Sequence, residues 1–397
     1  MPSPVELLTE AKSYAALLSE IRRELHQIPE FALNLPQTQA RILSSIEGLG
    51  EIFLGKSLSS IALLIRGENP GPTVLLRADM DALSVTEETG EPFSSTNGFM
   101  HACGHDLHMA AGIGAAHLLA THKAELKGNV LIWFQPGEEG HHGADVMIEE
   151  GFLDLSGERP IAAYGLHVFT SLPIGAIASK AGAMMASAGD LLVSFQGSGG
   201  HGSMPWLSKD PITPMVEAIS ALQVMLNKRF DQFDPVILNV GWISAGDQAT
   251  TNVIPDSASF GATVRTFSQR NTDLLHTLVP EMIHSIAKSY GLTATVEFSV
   301  PTKVLMNDPG AIARVERISQ ELVGPGYQTM QVPIAGGEDF ASIVAEVPGA
   351  FVFVGACPPE IDYQTAPTNH SSKARFDDSV LPLCSSLLAA LAFDHLG

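Results

Sequence analysis

Apolar and polar positions follow two different periods along the first half of the chain. Helical spacing of apolar residues predicts helices at Val5–His26, Leu35–Leu49, Asp106–Thr121 and Ala144–Glu150. Short apolar runs bounded by turn residues predict strands at Ile61–Ile65, Thr73–Leu76, Asn129–Phe134 and Ile161–Leu166. Because strands alternate with helices, we expect an α/β fold with a mixed, largely parallel sheet flanked by helices.

The pattern changes near Ser187. Strands are predicted at Leu191–Gln196, Val236–Trp242, Ser257–Thr266 and Thr293–Ser299, and helices at Pro211–Asn227 and Asp273–Tyr290. The resulting order, strand-helix-strand-strand-helix-strand, is typical of a ferredoxin-like α+β domain. We therefore predict an inserted α+β domain at residues 187–299 and a first domain formed by residues 1–186 and 300–397.

The net charge argues against two classes of binding partner, and the cysteine content indicates a cellular location. The 397 residues carry a net charge of −21, which argues against nucleic acid, because its binding needs a basic surface. The same charge argues against an anionic membrane surface, and we identify no signal peptide and no apolar stretch long enough to span a bilayer. Three cysteines do not make a disulfide framework, so we expect a reducing, cytoplasmic location.

The segment Met100–His108 holds three histidines and one cysteine directly before the predicted Ala-rich helix. Cys103 and His105 flank a single glycine, so both side chains can point into one pocket. Thiolate and imidazole are good ligands for zinc and similar metals. If the helix began earlier, His101, His105 and His108 would instead share one helical face, although the intervening glycine disfavours that geometry.

Other polar side chains follow predicted strands. Glu138 and Glu139 come after the strand Asn129–Phe134, and adjacent carboxylates project differently, so one can bind a metal while the other faces water. Asp79 and His167 also stand at predicted strand ends. Ligands in open α/β sheets bind beyond the carboxyl ends of the strands, so the sequence predicts that these residues converge on one site.

Seven motifs occur in an order that resembles one known family. They are Arg77-Ala-Asp-Met-Asp-Ala-Leu, His101-Ala-Cys-Gly-His-Asp-Leu-His, Gln135-Pro-Gly-Glu-Glu-Gly, Gly165-Leu-His, Gly199-Gly-His-Gly-Ser-Met-Pro, Asn252-Val-Ile-Pro-Asp and Gly337-Glu-Asp-Phe. Together they resemble the M20 metallopeptidase clan, in its aminoacylase, hippurate hydrolase and auxin-conjugate hydrolase branch. The resemblance covers nearly the whole chain. It implies a catalytic, metal-binding α/β domain and an inserted lid domain that often mediates dimerisation.

The resemblance also implies roles for individual residues. Glu138 would be the general base. Asp79 would contact one of the metal ligands and orient it, without binding the metal itself. Cys103 takes the place of a carboxylate found in other branches, so it would bridge the metals. The implied metal ligands are Cys103, His105, Glu139, His167 and His370.

Three residues of the inserted domain receive roles from the same resemblance. His201 would reach an active site, in its own or a partner subunit, and stabilise the oxyanion. Asn252 and Arg265 would hold the substrate carboxylate. The chain departs from the usual motifs of this branch at Trp206, at the pair His141 and His142, and at Asn369, and these departures concern the substrate pocket.

The activity implied by the resemblance is hydrolysis of the amide bond of a small N-acyl amino acid, with two divalent ions (Zn, Mn, Co or Ni) as cofactors. A homodimer or higher homo-oligomer is expected. A dipeptidase or carboxypeptidase on the same scaffold is the first alternative, and a cysteine hydrolase using Cys103 is another. A metal-stabilised binding protein is the non-enzymatic alternative, but a closed structural site needs no spare carboxylate beside its ligands.

Overall fold

An eight-stranded sheet runs through the first of two units in the computed structural model, which describes residues 1–397. The first unit comprises Met1–Met184, Met306–Val332 and Asp339–Gly397, and the second comprises Met185–Leu305 and Pro333–Glu338. The second unit thus extends beyond the predicted 187–299 and includes a later segment. The backbone N–H of Ala186 donates to the carbonyl oxygens of Ile334 and Gly336, which ties that later segment to the start of the second unit.

The sheet of the first unit mixes parallel and antiparallel neighbours. Its strands are β1 (Glu51–Leu54), β2 (Ile61–Arg66), β3 (Asn69–Asp79), β4 (Lys127–Gln135), β5 (Ala162–Pro173), β6 (Ile177–Ser179), β15 (Tyr327–Thr329) and β16 (Gly349–Cys357). They lie in the order β1-β2-β4-β3-β5-β16-β6-β15. The four central strands β4, β3, β5 and β16 are mutually parallel. The predicted α/β fold with a mixed, largely parallel sheet is confirmed.

Eight helices belong to this unit: α1 (Pro4–Ser13), α2 (Ala15–Gln27), α3 (Pro36–Ile46), α4 (His105–Thr121), α5 (Gly143–Glu149), α8 (Pro309–Val323), α9 (Phe340–Glu346) and α10 (Leu381–Leu396). The predicted single helix from Val5 to His26 is two helices. The N–H of Tyr14 donates to the carbonyl of Ala11, which closes a tighter turn and ends α1. The spacing of apolar residues does not reveal such a break, because the helical period of α1 continues in α2.

Helices α4 and α10 form the centre of the helical layer. A side chain at Gly114 of α4 would meet Ser385 Oγ of α10 at 2.2 Å, so glycine permits their close approach. By length and composition the segment Asp378–Leu396 could cross a membrane, which the sequence analysis had not identified. In the structure 83% of it is buried inside the protein, as expected of a core helix.

The second unit is a four-stranded antiparallel sheet covered by two helices. The strands of this sheet are β8 (Ala188–Gln196), β10 (Val236–Ala245), β12 (Ser257–Thr266) and β13 (Thr293–Thr302), and two short strands, β9 (Gly200–His201) and β11 (Val253–Ile254), form a separate two-stranded sheet. The helices of this unit are α6 (Ile212–Arg229) and α7 (Gln269–Ser289), and the order of the four-stranded sheet is β10-β12-β8-β13. Alternate residues of β8, such as Leu191, Val193 and Phe195, pack with helix residues in the unit's core. Two short strands, β7 (Gly182–Met185) and β14 (Leu305–Asn307), lie where the chain passes between the units.

Candidate metal centre

The parallel strands of the first unit bring the predicted polar residues to one edge of its sheet. Asp79 is the last residue of β3 and pairs with Gln135, the last residue of β4. Glu138 and Glu139 follow β4 within four residues. His167 lies inside β5, which continues to Pro173, and not at a strand end as predicted. Strand β5 is longer because β16 pairs alongside it over most of its length.

Gly104 determines how Cys103 and His105 are presented. Its φ angle is +87°, a left-handed conformation that favours glycine, and a Cβ there would lie 2.4 Å from a methyl carbon of Val168. Helix α4 begins at the next residue, His105. His101 therefore lies outside the helix, and the alternative arrangement with three histidines on one helical face does not form.

All five predicted metal ligands lie together in the first unit. Cys103 Sγ is 3.2 Å from His167 Nε2 and 3.2 Å from His370 Nε2. His370 Nε2 is also 3.2 Å from Glu139 Oε1. Three groups with donor atoms within 4.8 Å of one another overlap here: Cys103, His105 and His167; Cys103, Glu139 and His370; His105, Glu138 and Glu139. Cys103, His105 and Glu139 each belong to two of these groups, so the groups form one continuous cluster of donors.

The chemistry of the donors suits borderline divalent cations. His105 Nδ1 donates to the carbonyl of Asp81 at 2.8 Å, and its buried Nε2 has no hydrogen-bond partner. His167 Nδ1 similarly donates to the carbonyl of Val168 at 2.9 Å. Both rings are thereby held in the tautomer that leaves Nε2 as a lone-pair donor. A thiolate, imidazoles and a carboxylate form a set that binds zinc, manganese, cobalt or nickel, so the residues fit the implied metals.

The pKa values of His167 and His370 also indicate a site rich in electron-pair donors. Burial, together with the neighbouring His108, holds the pKa of His167 well below its usual range, which keeps that ring neutral. Hydrogen bonds to Cys103 and Glu139 raise the pKa of His370 to about 10. The His370 nitrogen thus holds a proton tightly at the position where thiolate and carboxylate meet, and a metal cation would compete with that proton.

Asp81, which was not selected from the sequence, holds the paired glutamates in place. Its carboxylate oxygens accept hydrogen bonds of 3.0 Å from the backbone N–H groups of both Glu138 and Glu139. Its side chain is almost fully buried. Asp81 belongs to the same motif as Asp79 but lies two residues beyond the end of β3, and sequence position alone did not show which carboxylate touched the glutamates.

Asp79 acts through His108, whose contact with it was not predicted. Its carboxylate accepts from His108 Nδ1 at 2.5 Å and lies 3.8 Å from His105 Nδ1. His108 Nε2 in turn accepts from the N–H of Val168 at 2.9 Å, next to the predicted ligand His167. Although burial opposes its ionisation, Arg77 and the two histidines hold the pKa of Asp79 well below its usual range. Asp79 therefore contacts His108 directly, and His108 holds in place the backbone next to the predicted ligand His167.

Asn369 connects three ligand-bearing segments. Its amide Nδ2 donates to the carbonyl oxygens of Cys103 at 3.2 Å and Val168 at 2.9 Å. Its Oδ1 accepts from the N–H of Thr170 at 3.2 Å. The adjacent His370 has a φ of +73°, an uncommon conformation for a residue with a side chain, and its N–H donates to Ala102. The departure noted at position 369 therefore concerns the assembly of the metal centre.

The remaining predicted site residues lie in the second unit. His201 pairs with Val253 between β9 and β11, so it lies beside Asn252, and both side chains are exposed. His201 Nδ1 is 2.9 Å from Ser203 Oγ. The Arg265 guanidinium donates to Thr263 Oγ1 at 2.7 Å and to backbone carbonyls of its own sheet. The roles given to His201, Asn252 and Arg265 stay predictions.

Several known proteins are similar to this chain in sequence or in structure. An N-acetyldiaminopimelate deacetylase of Listeria innocua is 35% identical over 84% of this chain and 89% of its own length. The IAA-amino acid hydrolase ILR1-like 4 of Arabidopsis thaliana is 33% identical over 100% of this chain and 89% of its own. A crystal structure of the Bacillus subtilis YXEP protein, described as a dinuclear metal-binding peptidase from the M20 family, has a TM-score of 0.82 and 31% identity, covering 97% of this chain and 99% of that one.

A family comparison agrees with the resemblance drawn from the motifs. Residues 75–394 match the family described as peptidase family M20/M25/M40. This span begins in β3 and ends in α10, so it includes every predicted ligand as well as the second unit. The resemblance is confirmed, and the chain belongs to peptidase family M20/M25/M40.

Proposed function

We propose that the protein is a metal-dependent amidohydrolase that cleaves the amide bond of small N-acyl amino acids. The observation that carries the proposal is the grouping of Cys103, His105, Glu139, His167 and His370 beside Glu138, the carboxylate to which the family motifs give the role of general base. A purely structural metal site would have no use for this additional carboxylate. Two of the similar proteins named above are, by their names, a deacetylase of N-acetyldiaminopimelate and a hydrolase of IAA-amino acids.

Two divalent cations held by these ligands would polarise the amide carbonyl and lower the pKa of the attacking water. Glu138 takes the proton from that water and returns it to the leaving amine. The Asp81 carboxylate keeps Glu138 in position by accepting its backbone N–H. Cys103 is the proposed bridging ligand. His201 is assigned to the oxyanion, and Asn252 and Arg265 to the substrate carboxylate, on the basis of the family motifs.

A dipeptidase or carboxypeptidase activity is the alternative on the same scaffold. In a peptide substrate the acyl group is itself an aminoacyl group. The metal ligands alone do not distinguish such a substrate from another N-acyl amino acid. A cysteine hydrolase is disfavoured because two histidine nitrogens, those of His167 and His370, lie equally close to Cys103 Sγ. A catalytic thiol needs one base and an open approach to its sulfur.

The test is hydrolysis of a panel of N-acyl amino acids and dipeptides by protein loaded with zinc, manganese, cobalt or nickel. Chelation should abolish turnover, and added cation should restore it. Replacing Glu138 by Gln should lower kcat by about 10³-fold or more with metal content unchanged. Glu149→Gln, on an exposed residue of α5, is the matched control. Turnover by the chelated, metal-free protein, or by Glu138→Gln, would refute the proposal.

We also propose a homodimer formed through the second unit. Strand β10 is an edge strand of its sheet and exposes Ile237, Trp242 and Ile243. An exposed apolar edge strand offers unpaired backbone groups to another chain. A second copy can add its own β10 antiparallel to the first, which gives a two-fold symmetric contact.

A cytoplasmic location is proposed from the state of the thiols. Cys103, Cys357 and Cys384 are all free and buried. Free thiols persist in reducing compartments. Detection of the protein in a cytosolic rather than an exported fraction of its native cells is the corresponding test.

A further inference from the structure

The loop formed by residues 84–99 takes no part in the proposed chemistry. It contains no helix and no strand, and the backbone groups of Leu83 and Met100 close it with two hydrogen bonds of 3.0 Å. Compact loops whose ends lie close together are often functional. The 84–99 loop has three acidic residues, which connect it to two other segments of the first unit.

One side of the 84–99 loop is anchored on helix α2. The side chain of Glu87 is fully buried, and its carboxylate lies 3.1 Å from His26 Nε2. The guanidinium carbons of Arg22 and Arg23 lie 4.8 Å and 5.0 Å from the centre of the Phe93 ring, within the range of cation–π contact. The loop is therefore fixed to a helix that belongs to the core of the first unit.

The same helix holds one of the proposed ligands. The carboxylate of Asp106 lies 2.6 Å from Arg22 Nε and 2.8 Å from His26 Nδ1, and all three side chains are buried. Asp106 directly follows the ligand His105 at the start of α4. Helix α2 is thus a common support for the His105 end of the metal centre and for the 84–99 loop.

The other side of the 84–99 loop contacts the segment that follows His370. The backbone N–H of Glu88 donates to the carbonyl of Ser372 at 2.8 Å, and the Ser372 hydroxyl donates to the Glu88 carboxylate at 3.0 Å. Arg375 Nε donates to the Glu91 carboxylate at 2.5 Å. Ser372 and Arg375 follow His370 closely in the chain. The loop therefore links the His370 segment to the helix that also supports His105.

His370 depends on such support more than the other ligands do. Its side chain is 56% exposed, whereas that of Glu139 is 12% exposed and Cys103, His105 and His167 are buried. Its φ of +73° is a costly conformation that persists only where the surrounding structure imposes it. A cation that leaves the site toward solvent passes this exposed ligand, so the position of His370 controls how well the cation is retained.

We propose that Glu88 and Glu91 are positioning residues, which hold His370 at the metal centre and thereby slow the release of the cation bound there. Loss of their contacts frees the segment after His370, so its ring leaves the neighbouring donors more often and the cation escapes sooner. Because the pair of Glu91 and Arg375 is partly exposed, salt screens it and speeds the release. The inference rests on the metal centre of the proposed function and is independent of the substrate.

The experiment measures the rate at which zinc-loaded protein loses zinc to an excess of a chelating dye. Glu91→Gln and Arg375→Met should each release the first zinc about fivefold faster than the parent. The double variant should match Arg375→Met, because the two residues act through one contact. Arg375→Lys keeps the charge and should retain zinc better than Arg375→Met.

Two further measurements separate positioning from general loosening. An increase in ionic strength from about 0.05 M to about 0.5 M should speed release from the parent and leave Arg375→Met unchanged, because only an intact ion pair can be screened. Urea denaturation of the metal-free proteins should give equal midpoints for the parent and both single variants. Arg66→Met removes a similarly exposed ion pair with Glu51 in the same unit and is the matched control, with an unchanged release rate.

Failure of the inference and failure of the proposed function give different results. Release at the parent rate from Glu91→Gln and Arg375→Met, or faster release that Arg66→Met reproduces, would overturn the role of the loop and leave the amidohydrolase standing. Zinc-loaded protein that hydrolyses no N-acyl amino acid would refute the proposed function, while the release rates would still decide the role of the loop. A parent protein that binds no zinc would refute both.

Discussion

The Arg77 guanidinium donates a 2.9 Å hydrogen bond to the Asp339 carboxylate, although 262 positions separate the two residues in the chain. Both side chains are buried. Asp339 also accepts from Gln135 Nε2 and from the N–H of Ala144. One carboxylate thereby joins the ends of β3 and β4 to the start of α5, directly behind the segment that carries Glu138 and Glu139.

Replacement of Asp339 by Asn should lower the free energy of unfolding by about 3 kcal/mol, because it leaves the buried Arg77 charge less compensated. Urea denaturation would measure the change. Glu51→Gln is the control, because its ion pair with Arg66 is roughly half exposed and removing it should cost less than about 1 kcal/mol. Equal losses in the two variants would contradict a special role for the buried pair.

Replacement of Cys103 tests whether its thiol acts as a metal ligand or as a nucleophile. Cys103→Asp should retain both metals and part of the activity, since a carboxylate can bridge two cations, whereas Cys103→Ala should lose at least one metal per chain. Elemental analysis and turnover are measured together. Cys357→Ala removes a buried thiol elsewhere and should retain full metal content. Full metal content with no turnover in Cys103→Asp would favour the thiol as nucleophile.

The ionisation of the Glu87 carboxyl should make the free energy of unfolding depend on pH. Burial opposes its ionisation, but hydrogen bonds from His26, Thr89 and the N–H of Ser95 lower its pKa from 4.5 to about 2. Its contribution is therefore complete above pH 4.5 and is lost as the pH falls toward 2. Glu87→Gln should be less stable than the parent by about 2 kcal/mol at pH 6, and the difference should shrink steadily below pH 4.

Denaturation of both proteins between pH 3 and pH 6 would test this dependence. Glu68→Gln, at an exposed position, serves as the control and should show no difference at any pH. A stability difference for Glu87→Gln that stays constant over the whole interval would exclude the ionisation of Glu87 as its source.

The proposed dimer should dissociate when its edge strand becomes charged. Ile243→Asp places a carboxylate on β10 and should shift the protein to the monomer mass in sedimentation, because two like charges would meet across a symmetric contact. Ile161→Asp makes the same change at an exposed residue of the first unit and should leave the mass unchanged. A parent protein that sediments as a monomer would refute the proposal at once.

Apolar periodicity and the rule of strand ends were enough to predict four of the eight strands of the sheet, β2 to β5, and to place Asp79, Glu138 and Glu139 at one edge of it. They did not reveal β16, whose residues are all buried and therefore show no alternation. His370 was identified only through the resemblance, because it lies in a loop with no periodic pattern. The roles of Asp81, His108 and Asn369 were not predicted, because they depend on contacts between distant segments, which spacing along the chain does not encode.

The amide of Asn369 has a consequence for how the protein matures. It fastens the Cys103 and Val168 segments to the loop that carries His370, and this loop is made only after both segments, 266 positions beyond Cys103. Strand β16 enters the middle of the sheet only slightly earlier. A nascent chain therefore holds an incomplete set of donors until His370 has been made, and full metal occupancy marks a polypeptide that extends beyond this residue.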